Sequence, residues 1–144
     1  MKYTTEIEIK APIEKVATLL GDHSQMKYWI KQLQSYEPIS GEPHEEGTKT
    51  RMTINAGREM EIIETITKIE FPYRITAHYE MEGGSFIADS MLQASTEKLT
   101  RYTLNHYFKF NGVLKIATAL LKPAFIKHSE RIMIDFKNLA EKTQ

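Results

Sequence analysis

The chain has 144 residues, 41% of them hydrophobic, and its 19 basic side chains balance 19 acidic ones. This length suits one domain, which can bury about 68–70% of the surface that the unfolded chain exposes. The balanced charge removes the usual electrostatic argument for a nucleic-acid or anionic-membrane partner, although a local basic patch stays open. Because the chain has no cysteine, disulfides, thiolate nucleophiles and cysteine-ligated metals are excluded. We predict a single domain over residues 1–144.

The first part of the chain predicts one strand and two short helices. Residues 2–10 alternate strictly between two kinds of side chain, which is the period of a half-buried strand. Pro12 then supplies a preset first helical position, and apolar residues follow at helical spacing until Gly21. Asp22 can cap a second short helix, which we expect to reach about Trp29. These two helices interrupt the sheet after its first strand.

Hairpin signals dominate the middle of the chain. A strand is predicted near residues 32–40, and a further strand leads into a three-residue hairpin loop at residues 55–57. This loop would place Met52 opposite Met60 and keep the apolar residues of both strands on one face.

A second turn is predicted at Gly83 and Gly84, between two strands that alternate apolar and polar side chains. A two-residue loop there would pair Tyr79 with Ala88. The last strand covers residues 99–110 and carries aromatic and aliphatic side chains on a single face. Together these patterns predict an antiparallel sheet of about seven strands with one apolar side.

A long helix is predicted from about Val113 to Lys142, with Pro123 as its one conspicuous defect. Its apolar stripe should lie on the sheet, which makes the domain an α+β fold. The members of this stripe are Leu114, Leu121, Phe125, Ile132, Phe136 and Leu139, with His128 close to its edge.

The order of these elements resembles the START-related superfamily, which includes polyketide cyclases and the birch-pollen-allergen type. The resemblance rests on the segments KAPIEKVATLLGD, HSQMKYWI and FKNLAEK and covers essentially the whole chain. It implies a helix-grip fold, in which a curved antiparallel sheet wraps around the long C-terminal helix and a deep apolar cavity lies between them. It also implies binding of lipids, hormones, quinones or polyketides, mostly without covalent catalysis. No catalytic signature is shared across this superfamily, so none is carried over.

The candidate ligand-binding residues are those that the alternation and the resemblance place toward this cavity. His106 could anchor a ligand carbonyl or act as a general base, and the alternative is a core histidine satisfied by a neighbour. Trp29 is either an aromatic wall or a hydrophobic plug. The full predicted set is Trp29, Met52, Ile54, Tyr79, Phe86, Tyr102, His106, Phe108, Leu121 and Phe125.

Glu64 shares the predicted inward register of Met60 and Ile62. A lone buried carboxylate is costly, so we expect a bulge that turns it outward, or pairing to Arg51 or Lys68.

Cofactor and metal motifs are absent from the sequence. The five histidines show no paired spacing for zinc, and there is no phosphate-binding glycine motif or nucleophile elbow. We therefore expect no metal and no cofactor. The charged, alternating N-terminal segment lacks the apolar region of a signal peptide, and the cytoplasm is the expected location.

Three functions are compatible with these patterns. The first is binding of a small hydrophobic molecule in the cavity, and the second is a cyclase or dehydratase that uses the same cavity. The third is a protein-interaction module, which includes a homodimer, acting through apolar residues outside the main helix stripe. Those residues are Ile116, Ala119, Leu120 and Ile126.

Overall fold

The computed structural model describes residues 1–142, so the end of the predicted domain range, Thr143 and Gln144, lies outside the described residues. Seven strands, two α-helices and one 3-10 helix make up this part of the chain. In chain order they are β1 (Lys2–Ile9), α1 (Ile13–Leu20), the 3-10 helix (His23–Tyr28), β2 (Leu33–Ser40), β3 (Lys49–Asn55), β4 (Glu59–Glu70), β5 (Arg74–Met81), β6 (Gly84–Thr96), β7 (Leu99–Phe110) and α2 (Val113–Lys142).

The strands form one antiparallel, curved, open sheet in the order β1-β7-β6-β5-β4-β3-β2. Every neighbouring pair from β2 to β7 is consecutive in the chain, and only β1 pairs with a distant strand, β7. The sheet packs one face against α2. The predicted α+β helix-grip fold is confirmed.

The two short helices lie where the sequence predicts them. Pro12 is the residue that precedes α1, and Gly21 ends that helix by donating its backbone N–H to Ala17. The side chain of Asp22 accepts a hydrogen bond from the backbone N–H of Ser24, 3.0 Å away, at the start of the 3-10 helix. Local capping chemistry therefore determines the connection between β1 and β2.

Two predicted registers are wrong by two residues. Met52 lies opposite Ile62 rather than Met60, because the first hairpin closes with the pair Asn55 and Glu59. Its loop is thus residues 56–58, with Gly57 at its centre in the left-handed region, where φ is +85°.

In the second hairpin, Tyr79 pairs with Phe86 rather than Ala88. Gly83 occupies the turn with φ of +93°, whereas Gly84 already belongs to β6. A Cβ on Gly84 would overlap the backbone oxygen of Lys109 on β7, so the close approach of two strands requires glycine there. The turn therefore consists of Glu82 and Gly83.

Only the second half of α2 packs into the core, although the whole predicted stripe was expected on the sheet. Leu114 and Leu121 are 42% and 38% exposed. From Phe125 onward the helix is held closely, and small residues such as Ser129 and Ala140 let it approach the sheet. The buried residues of α2 are Ser129, Met133, Phe136 and Ala140.

Candidate functional site

Four aromatic side chains form a continuous row between the sheet and α2. Phe86 stacks on Tyr79 with ring centroids 4.6 Å apart and on Phe108 at 4.8 Å, because these residues are direct cross-strand neighbours on β5, β6 and β7. Phe125 of α2 continues the row, 5.2 Å from Phe108. We call these four residues the aromatic row. All four are only half-buried, so they present apolar surface that the protein does not cover completely.

His106 lies beside the aromatic row on the inner face. Its ring is 4.8 Å from that of Tyr3 and 5.6 Å from that of Phe108. Its Nδ1 atom is buried and has no hydrogen-bond partner among the described residues. No neighbour among the described residues therefore satisfies this nitrogen of the buried ring.

The protonation of His106 follows from this environment. Burial, and secondarily the charge of nearby His128, lower the pKa of His106 to about 4. The imidazole is therefore neutral near pH 7 and offers one donor and one acceptor, of which the Nδ1 position is unused.

Glu64 is buried and points inward, contrary to the expectation of a bulge or a partner at Arg51 or Lys68. It is only 2% exposed, and the irregularity in β4 comes two residues later. Its two carboxylate oxygens accept hydrogen bonds from His23 Nε2 at 2.6 Å and from Tyr79 Oη at 2.7 Å. These two donors satisfy the carboxylate without a lysine or arginine.

We call His23, Glu64 and Tyr79 the polar triad. Burial, followed by the charge of Glu64, raises the pKa of Tyr79 well above its usual value, so its phenol stays protonated and donates. The hydrogen bond to Glu64 is the main cause that raises the pKa of His23. Since His23 lies in the 3-10 helix, the polar triad ties that helix to β4 and β5 next to the aromatic row.

His23 gave no functional signal in the sequence. Its partner Glu64 is 41 residues away, and an isolated histidine behind a helix cap is unremarkable. The one available signal was the inward register of Glu64, because a buried carboxylate requires partners from somewhere in the fold.

A His23→Gln substitution is expected to cost stability mainly at low pH. A raised pKa means that the stabilisation by protonated His23 is present below 6.5 and is lost as pH rises through the raised value. Urea unfolding should give a loss about 1 kcal/mol larger at about pH 6 than at about pH 9. The same substitution in a Glu64→Gln background should show no such pH dependence, and an equal loss in both backgrounds would contradict the pairing.

Several other predicted residues lie in the core rather than in the aromatic row. Trp29 and Tyr102 both meet Phe136 edge-on, with centroids 5.1 and 5.7 Å away, and Met52 is fully buried. The indole Nε1 of Trp29 is buried without a hydrogen-bond partner among the described residues.

Ile54 is half-buried beside Met60, and Leu121 lies on the exposed first half of α2. Sequence periodicity predicted that both residues face the space between the sheet and α2. It could not tell how deeply either is covered.

Two of the surface depressions in the described part of the chain lie at the hairpin ends and along α1. One, of about 410 Å³, is lined mainly by acidic residues and methionines at the β3–β4 and β5–β6 hairpins. The other, of about 460 Å³, lies along α1. Neither lies between the sheet and α2, so the deep enclosed cavity that the resemblance implies does not correspond to either of them.

Within residues 1–142, no group of three or more histidine, cysteine, aspartate or glutamate side chains is arranged to hold a metal ion. None of the helices described has the length and apolar character needed to span a membrane.

Comparison with known family models identifies the family to which the chain belongs. A family model described as polyketide cyclase / dehydrase and lipid transport matches residues 1–141. The chain belongs to this family. This match confirms the resemblance to polyketide cyclases of the START-related superfamily that the sequence segments indicate. No curated protein sequence matches the chain.

Solved structures share the fold of this polyketide cyclase / dehydrase family member at low identity. A START superfamily protein from Mycobacterium smegmatis has a TM-score of 0.86 and 9% identity, covering 99% of both chains. The Zhui aromatase/cyclase from Streptomyces sp. R1128 has a TM-score of 0.83 and 13% identity, covering 99% of this chain and 94% of its own. A conserved protein from Geobacillus kaustophilus has a TM-score of 0.78 and 20% identity, covering 99% and 97%. At these identities the similarity establishes the fold alone.

Proposed function

We propose that the chain binds a small hydrophobic molecule, of lipid, quinone or polyketide type, between the inner face of the sheet and α2. The half-buried aromatic row would supply the apolar wall. His106 would supply the polar contact at one end, and the proposal is carried by its buried Nδ1, which lacks a protein partner. A buried polar atom without a partner is rare in proteins, and a ligand atom at Nδ1 would satisfy it. The family description, which includes lipid transport, supports the same class of ligand. The proposed compartment is the cytoplasm.

The half-buried aromatic row agrees with a site that a ligand completes. Apolar ligands gain most from aromatic side chains that are already ordered, because little rotamer entropy is then lost on binding. The stacked geometry from Tyr79 through Phe86 to Phe108 fixes these rings before any ligand arrives.

The test is to identify a co-purifying compound by native mass spectrometry and to titrate Nile red as a neutral apolar probe. A Phe108→Ala variant should weaken Nile red binding by about tenfold, since it removes the centre of the aromatic row. Tyr107→Ala is the matched control, because Tyr107 is the next residue on β7 but faces away from α2 and is exposed. Equal affinities in both variants, with no co-purifying compound, would exclude ligand binding at this face.

A cyclase or dehydratase is the second candidate, and the polar triad favours it. Two titratable groups, Glu64 and Tyr79, converge beside the aromatic row, which is the arrangement that proton transfer to a bound substrate requires. The family description names this chemistry as well. A His106→Ala or Tyr79→Phe variant that keeps ligand affinity but loses turnover would support catalysis. Loss of affinity alone would support anchoring.

A further inference from the structure

The first half of α2 turns large aliphatic side chains toward solvent. Val113, Ile116 and Leu120 are 82%, 85% and 86% exposed. They are spaced three and four residues apart, so they form one side of the helix, which we call the outer helix face. Soluble monomers rarely leave a contiguous aliphatic patch uncovered, and such patches mark docking surfaces.

The opposite side of the same helix segment carries Leu114, Leu121 and Phe125 of the predicted stripe, and Lys122 interrupts it. Lys122 lies seven residues before Ser129 and fourteen before Phe136, so all three share one side of α2. Ser129 and Phe136 are buried, whereas Lys122 is exposed. The outer helix face therefore lies on the side of α2 away from its buried residues, and the described part of the chain leaves it uncovered.

Local charge indicates what the outer helix face meets. Residues 109–129 contain four lysines and no aspartate or glutamate, although the whole chain is neutral. The lysines that form ion pairs in the described part of the chain lie elsewhere, at Lys68 and Lys137. Near the start of α2, Leu114 packs against Gly83, next to Glu82, but that carboxylate already pairs with Arg58 at 3.8 Å. The first half of α2 is thus an aliphatic face within a locally cationic segment.

We propose that the outer helix face docks on an anionic lipid bilayer surface. The aliphatic side chains of Val113, Ile116 and Leu120 would enter the boundary between headgroups and acyl chains. Lys127, which is exposed and lies seven residues after Leu120 on the same side of α2, would meet lipid headgroups, and the other lysines of residues 109–129 would add to the local positive charge. This proposal goes beyond ligand binding and gives an apolar ligand a direct route between the bilayer and the sheet.

A second copy of the chain fits this face less well. A two-fold dimer built on the outer helix face would bring the same lysine-rich segment of both copies together. Like charges opposed across an interface are unfavourable, whereas an anionic bilayer complements them.

The experiment is co-sedimentation of the full chain with vesicles at low ionic strength. Binding is expected to vesicles of phosphatidylcholine mixed with phosphatidylglycerol, to be about tenfold weaker to phosphatidylcholine alone, and to decrease as salt is added. The double variant Ile116→Ser with Leu120→Ser should lose at least about tenfold in binding to the mixed vesicles, because it removes apolar area without changing charge.

Two further variants separate the outer helix face from other causes. Ile134→Ser is the matched control, since Ile134 is a half-exposed isoleucine on the second half of the same helix, and it should bind like the parent. Lys127→Gln, which removes the lysine on the outer side of α2, should retain the weak binding to phosphatidylcholine and lose most of the preference for the mixed vesicles. Circular dichroism spectra that match the parent will show that each variant is folded.

Three results would overturn the proposal. The first is no binding of the parent chain to either vesicle type, and the second is unchanged binding of the Ile116 and Leu120 double variant. The third is a concentration-dependent dimer, or a complex with another protein, that the double variant abolishes while vesicle binding is absent. The assay requires no internal ligand, so its failure leaves the ligand-binding proposal intact.

Discussion

Replacing Phe136 by alanine is expected to lower the free energy of unfolding by about 3–5 kcal/mol, the largest loss for any single substitution considered. Phe136 is 0% exposed and meets both Trp29 and Tyr102 edge-on, so its removal leaves a cavity between α2 and the sheet. The backbone around it is held by neighbouring helix and strand contacts, which limits collapse into the space. Urea unfolding followed by tryptophan fluorescence measures the loss directly, because Trp29 is the single tryptophan.

Leu120→Ala is the matched control on the same helix. Leu120 is almost fully exposed, so its truncation should change stability by less than about 0.5 kcal/mol. If Phe136→Ala cost no more than Leu120→Ala, the packing of α2 against the sheet would be incorrect as described.

Stability is expected to fall steeply as the pH drops from 6.5 toward 4. The pKa of His106 is lowered to about 4 by burial, so between these values the unfolded chain binds a proton that the folded chain does not. Folding stability therefore rises with pH across this window and is lost as the pH falls through it. The full effect approaches about 3 kcal/mol, from a shift of about 2.5 pH units at 1.36 kcal/mol each.

A His106→Phe variant tests this assignment, since it keeps a ring at the position and removes the titration. Its unfolding free energy should change less between about pH 6.5 and about pH 4 than that of the parent. His78→Gln, on the outer face of β5, should keep the parental slope. His128 also lies near His106, and a parental slope in His106→Phe would assign the acid sensitivity to another group.

The strands and their inward faces could be predicted from the sequence, while their registers could not. Moving the first hairpin loop by one residue changes every partner by two positions, as Met52 shows by pairing with Ile62 instead of Met60. Because side chains alternate with a period of two, such an error leaves each residue on the face predicted for it. Periodicity therefore places Tyr79, Phe86 and Phe108 on one face of the sheet, although it pairs Tyr79 with the wrong residue.

The polar triad was beyond this kind of reasoning. The rule that a lone carboxylate is costly to bury argued for Glu64 turning outward. The rule applies only without partners, and Tyr79 and His23 come from a neighbouring strand and a distant helix. A single sequence does not show which polar residues the fold will bring together.

Helix α2 shows a different limit. A stripe traced over thirty residues treats the helix as one unit. It correctly placed Phe125 and Phe136 on the side of α2 that faces the sheet. It could not show that the part of α2 from Val113 to Leu121 is left largely uncovered by the sheet. Where a helix leaves the core depends on the reach of the strands beneath it, which sequence periodicity does not encode.

The hydroxyl of Tyr3 donates to the backbone oxygen of Phe125 at 3.2 Å and shares a hydrogen bond of 2.7 Å with the hydroxyl of Ser129. These bonds fasten α2 to the first strand at the point where its buried half begins. Substitutions in α2 after that point will be constrained by folding, whereas substitutions at residues 113–121 can accumulate with little loss of stability. Evolution can thus vary the exposed first half of α2 while the rest of the domain remains intact.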